Sequence, residues 1–240
     1  MKNLELNYRS RFVWLAVFAV AMGFLEGIVV IYLRELYYPD GFDFPLKLMP
    51  PELVTIEWIR EITTLIMLAA VGIIAGRNNL QRIMYFLFAF GVWDIFYYVA
   101  LKLLIGWPAS LLTWDILFLI PVSWLGPVLA PVICSFTMIA MAVLITGKQE
   151  KGSVIDSRPF DWILITGGAA IILFTFMADY LKLIIDSGLF GSKNTTDAGG
   201  QLLNMITDYV PRTYRWFLFI IGEMIIIAST LKILIQTNRR

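Results

Sequence analysis

Apolar residues fall into six long runs along the chain, at about 12–33, 57–76, 82–105, 122–145, 161–185 and 214–235, with short polar segments between them. Each run is near the roughly 20 residues that a helix needs to cross the hydrocarbon of a bilayer. The pattern predicts an all-α, polytopic transmembrane bundle of six spans in one integral membrane domain, residues 1–240. A barrel would instead show segments of about 10 residues with alternating hydrophobicity. The first run is too long for a signal-peptide core and has no small-residue cleavage site, so it reads as a retained helix.

Proline and glycine mark the exceptions. Pro39, Pro45, Pro50 and Pro51 make the first connection stiff and non-helical. The stretch from Leu111 to Ile145 is too long and too rich in proline for one straight span. It divides into a short interfacial or re-entrant helix, Leu111 to Ile120, and a fourth span that follows the cluster Pro121, Gly126, Pro127 and Pro131. A short amphipathic helix is expected near Gln201 to Tyr209, inside the long polar connection before the last span. Asn194, Thr195 and Thr196 spell a glycosylation sequon, which has force only in a eukaryotic secretory setting.

Composition agrees with the pattern: 59% of residues are hydrophobic and the mean hydropathy is +0.77. The formal net charge is +1, so no basic surface for nucleic acid is expected, and the placement of charge matters more than its sum. Basic residues collect at the amino-terminal tail, the second-to-third and fourth-to-fifth connections and the carboxyl-terminal tail, including Lys2, Arg9, Arg11, Arg77, Arg82, Lys148, Lys151, Arg158, Arg239 and Arg240. The positive-inside rule then places both termini in the cytoplasm, in a cell membrane, either plasma or inner. Cys134 is the only cysteine, so no intrachain disulfide forms. Histidine is absent, which excludes His-ligated haem, His-containing zinc sites and every Ser-His or Cys-His catalytic arrangement. The cofactor is otherwise unknown, and no metal site is assigned.

With that topology the ionisable groups inside the spans share the non-cytoplasmic half. Glu26 lies past the middle of the first span, and Glu57, Arg60 and Glu61 open the second. Asp94, Tyr98 and Lys102 stand at i, i+4 and i+8 in the third, placing a hydroxyl between an acid and a base on one helical face. Asp115 approaches from the re-entrant segment. Asp179 and Lys182 lie in the outer part of the fifth span, where the lysine sits between Asp179 and Asp186, and Arg215 and Glu223 lie in the outer half of the sixth. Charge at bilayer depth is costly, so these side chains are expected to face a protein interior or wet cavity and to have partners. Gly23, Gly27, Gly91 and Gly222 stand near the charges and admit neighbouring backbones.

The segment EWIRE, Glu57 to Glu61, resembles the acidic motif of CAAX-type intramembrane proteases, whose histidines have no counterpart here. Lys182 and Lys232, in late helices, resemble the retinal-bearing lysine of a bundle with one more span. Neither activity is carried over. Three functions fit the charge pattern. The first is binding or transport of a small polar, ionic or lipid-headgroup ligand in a cavity open to the outside. The second is an enzyme acting on a lipid through carboxylate, lysine and tyrosine chemistry, in which a carboxylate cluster binds Mg²⁺. The third is a non-catalytic subunit whose charge pairs meet the helices of partner membrane proteins. The lipid bilayer is a partner in all three.

Overall fold

The computed structural model describes residues 7–155, 158–188, 195–236 and 238–239. Lys2, Asn194 and Arg240 lie outside them. The elements run α1 (Tyr8–Tyr37), α2 (Pro51–Ala75), α3 (Asn79–Ile105), β1 (Trp114–Phe118), β2 (Trp124–Pro127), α4 (Leu129–Glu150), β3 (Ser153–Val154), α5 (Pro159–Asp186), α6 (Thr195–Asp208), α7 (Trp216–Gln236) and β4 (Asn238–Arg239). All of these helices except α6 are long and apolar enough to cross a membrane.

Local chemistry sets the helix ends. Pro51 occupies the first position of α2, where its missing N–H costs nothing. The Asn78 side chain accepts the Gln81 N–H at 3.0 Å and caps α3. Gly106 closes the other end of α3 at φ +71°, a left-handed conformation that favours glycine. Pro159 starts α5, and Asp161 accepts the Arg158 N–H at 3.1 Å.

Close backbone approach assembles the spans. A Cβ on Gly23 of α1 would stand 2.7 Å from the Trp93 carbonyl oxygen of α3, and one on Gly27 would stand 2.9 Å from Ala100 Cβ. These two contacts place α1 and α3 side by side and parallel. Gly72 of α2 meets α3 at Arg82 and Phe86, and Gly91 of α3 meets Ser135 of α4. Gly168 of α5 and Gly222 of α7 meet backbone to backbone. With no hydrophobic force between helices in lipid, such small-residue contacts supply the van der Waals packing that holds a bundle. One buried cluster joins α1, α2, α3 and α4 around Tyr85, Met84 and Ile145; a second lies between α5, α7 and the start of α4 around Phe176 and Phe219.

Two sequence expectations change. Leu111 to Ile120 is not a short helix: Trp114–Phe118 pairs antiparallel with Trp124–Pro127, in the register Trp114 to Pro127, Asp115 to Gly126 and Ile116 to Leu125. The alternation of Trp114, Ile116 and Phe118 with Asp115 and Leu117 suits a strand, and the prolines turn the chain without a helix. The fourth span accordingly starts at Leu129, two residues after Pro127, and carries Pro131 in its first turn. The amphipathic helix before the last span exists and begins earlier than expected, at Thr195. The hairpin, α6 and the adjoining ends of the spans lie at the face opposite the chain ends, hereafter the hairpin face.

Gly23→Val should lower the unfolding free energy by about 1–3 kcal/mol through overpacking against α3. Gly167→Val is the control, because a Cβ there meets nothing within 4 Å. Equal thermal stabilities of the two variants in detergent would contradict the glycine seam.

Candidate functional site

A cavity of about 590 Å³ opens at the hairpin face. Its walls come from α1, α2, α3, the connection between α1 and α2, the hairpin, Tyr180 of α5 and Leu203 and Ile206 of α6. Of the residues expected from sequence, Glu26, Glu57, Arg60, Glu61, Asp94, Tyr98 and Asp115 line it together. Lys102, Asp179, Lys182, Arg215 and Glu223 do not.

The buried stripe of α2 explains how carboxylates reach the interior. Glu57, Glu61, Thr64, Leu68 and Gly72 follow helical spacing, so the face that packs apolar residues at one end presents acids at the other. Arg60 gathers them. Its Nε donates to Glu57 Oε2 at 2.6 Å, its Nη1 donates to Glu26 of α1, and its Nη2 stands 3.9 Å from Glu61 Oε1. Glu57 and Glu61, like charges four residues apart on one helix, would repel each other, and Arg60 between them compensates. Glu61 also accepts the Leu119 N–H with both oxygens, at 2.9 and 3.1 Å, satisfying a backbone donor just beyond β1. Thr64 donates to Glu26 at 3.4 Å.

Arg34, in the last turn of α1, is the main residue that the sequence did not disclose. It is 8% exposed, its Nη2 donates to Asp115 Oδ1 at 2.9 Å, and its guanidinium lies 3.8 Å from the Trp107 ring centroid and 4.4 Å from that of Phe42. A guanidinium between two aromatic faces is favourably placed for cation–π attraction. Asp115 is 1% exposed. Among the described residues its Oδ2 and Arg34 Nη1 complete no hydrogen bond, although the phenols of Tyr97 and Tyr98 approach the same carboxylate. Tyr37, Tyr38 and Tyr97 also line the cavity without having been expected there. The Tyr38 hydroxyl accepts the Lys47 N–H at 2.7 Å and pins the first connection. Burial holds this phenol above its ordinary pKa, so it stays neutral at physiological pH.

Asp94 differs from the other acids. Ser135 of α4 donates to its Oδ2 at 2.8 Å, and Asp115 is near enough to repel it. Among the described residues no cation pairs with it. The expected alignment of Asp94, Tyr98 and Lys102 does not join acid to base, because the Lys102 ammonium instead donates to the Gly106 and Pro108 carbonyl oxygens, at 3.0 and 2.8 Å, at the end of its own helix.

The remaining charges belong elsewhere. Asp179 pairs with Arg215 at 2.5 Å between α5 and α7. Lys182, expected between Asp179 and Asp186, forms no ion pair among the described residues and is exposed. Glu223 accepts from Thr137 of α4 at 2.7 Å inside a helix contact. Lys232 and Asp161 form a further α5–α7 pair at 2.6 Å, at the face of the chain ends. Comparison with protein-family models, with curated proteins and with solved structures finds no match.

Arg34→Gln should strand Asp115 and cost about 3–5 kcal/mol of stability, as breaking a buried pair does. Adding Asp115→Asn should restore most of the loss. A double variant as unstable as the sum of both single variants would show that the pair is not coupled.

Proposed function

We propose that this multi-pass membrane protein binds a small polar or headgroup-bearing ligand in the cavity at the hairpin face, as a receptor or transporter does. The supporting observation is Asp94: a carboxylate near the middle of a span, without a cation among the described residues, lining a cavity large enough for a small molecule. Asp161 and Asp179, which hold helices together, are ion-paired, and Glu223, which holds α4 to α7 through Thr137, lines no part of the cavity, whereas Asp94 lines it. The excess of basic residues at the opposite face supports a cavity that opens on the non-cytoplasmic side.

The geometry favours binding over lipid chemistry. Catalysis by paired carboxylates needs one free acid and one free base. Glu26 and Glu57 are held by Arg60, Glu61 by Arg60 and the Leu119 amide, and Asp115 by Arg34. That leaves Asp94 alone.

In a Cys134→Ser background, Thr55→Cys at the cavity wall should react with an impermeant thiol reagent added outside intact cells, and Gly152→Cys should not. Native mass spectrometry of protein released from cell membranes should find a non-covalent adduct that Val30→Trp, which fills the cavity, expels without loss of thermal stability. Labelling of Gly152→Cys from outside contradicts the topology. An adduct unaffected by Val30→Trp contradicts the site.

A further inference from the structure

We propose that the cavity takes an organic ammonium ion carried on an apolar chain, with the ammonium at Asp94 and the chain leaving toward the bilayer between Trp58 of α2 and Leu203 of α6. This rests on the cavity being a ligand site, and it names the class of ligand.

Charge complementarity supplies the first argument. Among the described residues five carboxylates line the interior, Glu26, Glu57, Glu61, Asp94 and Asp115, against the guanidinium groups of Arg34 and Arg60, and the one further lining cation among them, Lys47, is exposed on the connecting loop. Both guanidiniums are already committed to acids. An occupant that brings positive charge removes the imbalance, whereas an anion would add to it. Among the described residues Asp94 is the lining acid with no cation and no backbone donor, so the incoming charge belongs there.

The second argument is independent of the acids' number. Asp115 and Arg34, both more than nine-tenths buried, line the cavity, and among the described residues Asp115 Oδ2 and Arg34 Nη1 complete no hydrogen bond. A polar group brought in at that level, beside the phenols of Tyr97 and Tyr98, would complete those atoms. The aromatic rings of Trp93, Tyr97 and Tyr98 share the wall, and aromatic faces favour organic ammonium ions. Among the described residues no three ligand-type side chains are grouped to hold a metal ion, so a bare metal is the weaker candidate.

The third argument concerns the mouth. Trp58, 43% exposed, and Leu203, 48% exposed, both line the cavity. Trp58 lies in the first turns of α2, at the level where tryptophan marks the edge of a membrane. α6 is amphipathic and lies at the same face, and its Leu203 and Ile206 close the cavity's side. The charged end therefore connects to the bilayer through apolar walls, which suits an amphiphile rather than a free soluble amine.

Native mass spectrometry of the protein in lipid nanodiscs at neutral pH, with dodecylamine, dodecanol and ethylamine as probes, decides the matter. Dodecylamine should bind saturably, one per chain, with dodecanol and ethylamine each weaker by about tenfold or more, the loss expected when a charge contact or an apolar chain is removed. Asp94→Asn should weaken dodecylamine by about tenfold and leave dodecanol unchanged, because the amide keeps the shape and removes the charge. Dodecanol binding as tightly as dodecylamine overturns the ammonium claim. Ethylamine binding as tightly as dodecylamine overturns the chain claim and identifies a free amine. Binding of none of the three, while the adduct sensitive to Val30→Trp persists, overturns the ligand class and leaves the site standing. Should Asp94→Asn fail to fold, the comparison of the three probes on the unaltered protein still decides.

Discussion

Two guanidinium groups stand against the five carboxylates that line the cavity, and that shortage of positive charge governs the structure there. Arg60 binds Glu57 on its own helix and Glu26 on α1, so it fastens the start of α2 to the first span. Arg34 binds Asp115 and thereby fastens the hairpin to the end of α1. Each ion pair is buried enough that losing one partner leaves an uncompensated charge in a medium of low dielectric, a far larger penalty than the pair's own net contribution. The two arginines therefore act as clamps whose value lies in what their removal would strand.

The cavity follows from how the backbones meet. Gly23 and Gly27 bring α1 against α3, which sets Glu26 and Arg34 on the same wall as Asp94, Tyr97 and Tyr98. The hairpin then inserts non-helical backbone between span ends. Such backbone is tolerated at membrane depth only where protein or a wet cavity satisfies its polar groups. Here strand pairing satisfies most of them, Glu61 receives the Leu119 amide, and the Leu111 and Thr113 carbonyls accept from Leu129 and Val128 at 2.7 and 3.0 Å. One acid thus serves the electrostatic cluster and the hairpin together.

Depth was legible in the sequence and azimuth was not. Counting residues along apolar runs places the six spans and puts every intramembrane charge at its level, because rise per residue is fixed. It does not say which helices are neighbours, so Asp179, Arg215 and Glu223 share a depth with Asp94 while belonging to contacts among α4, α5 and α7. Arg34 was hidden for a related reason: an arginine at the end of an apolar run reads as a membrane-edge residue, and only the fold of Phe42 and Trp107 around it reveals burial. The hairpin was hidden because a five-residue apolar run between prolines has no periodicity long enough to separate strand from helix. Lys102 shows the limit of one-helix spacing, since its i+8 partner lost to nearer carbonyls.

The central claim is that Asp94 carries negative charge for an occupant and not for the bundle. Thermal unfolding of ligand-free Asp94→Asn in detergent tests it most directly. The amide retains the Ser135 hydrogen bond and relieves the repulsion from Asp115, so the variant should unfold at the same temperature as the unaltered protein or higher. A fall equivalent to about 3 kcal/mol or more, the penalty for stranding a buried partner charge, would show that Asp94 holds the bundle together and would contradict the account.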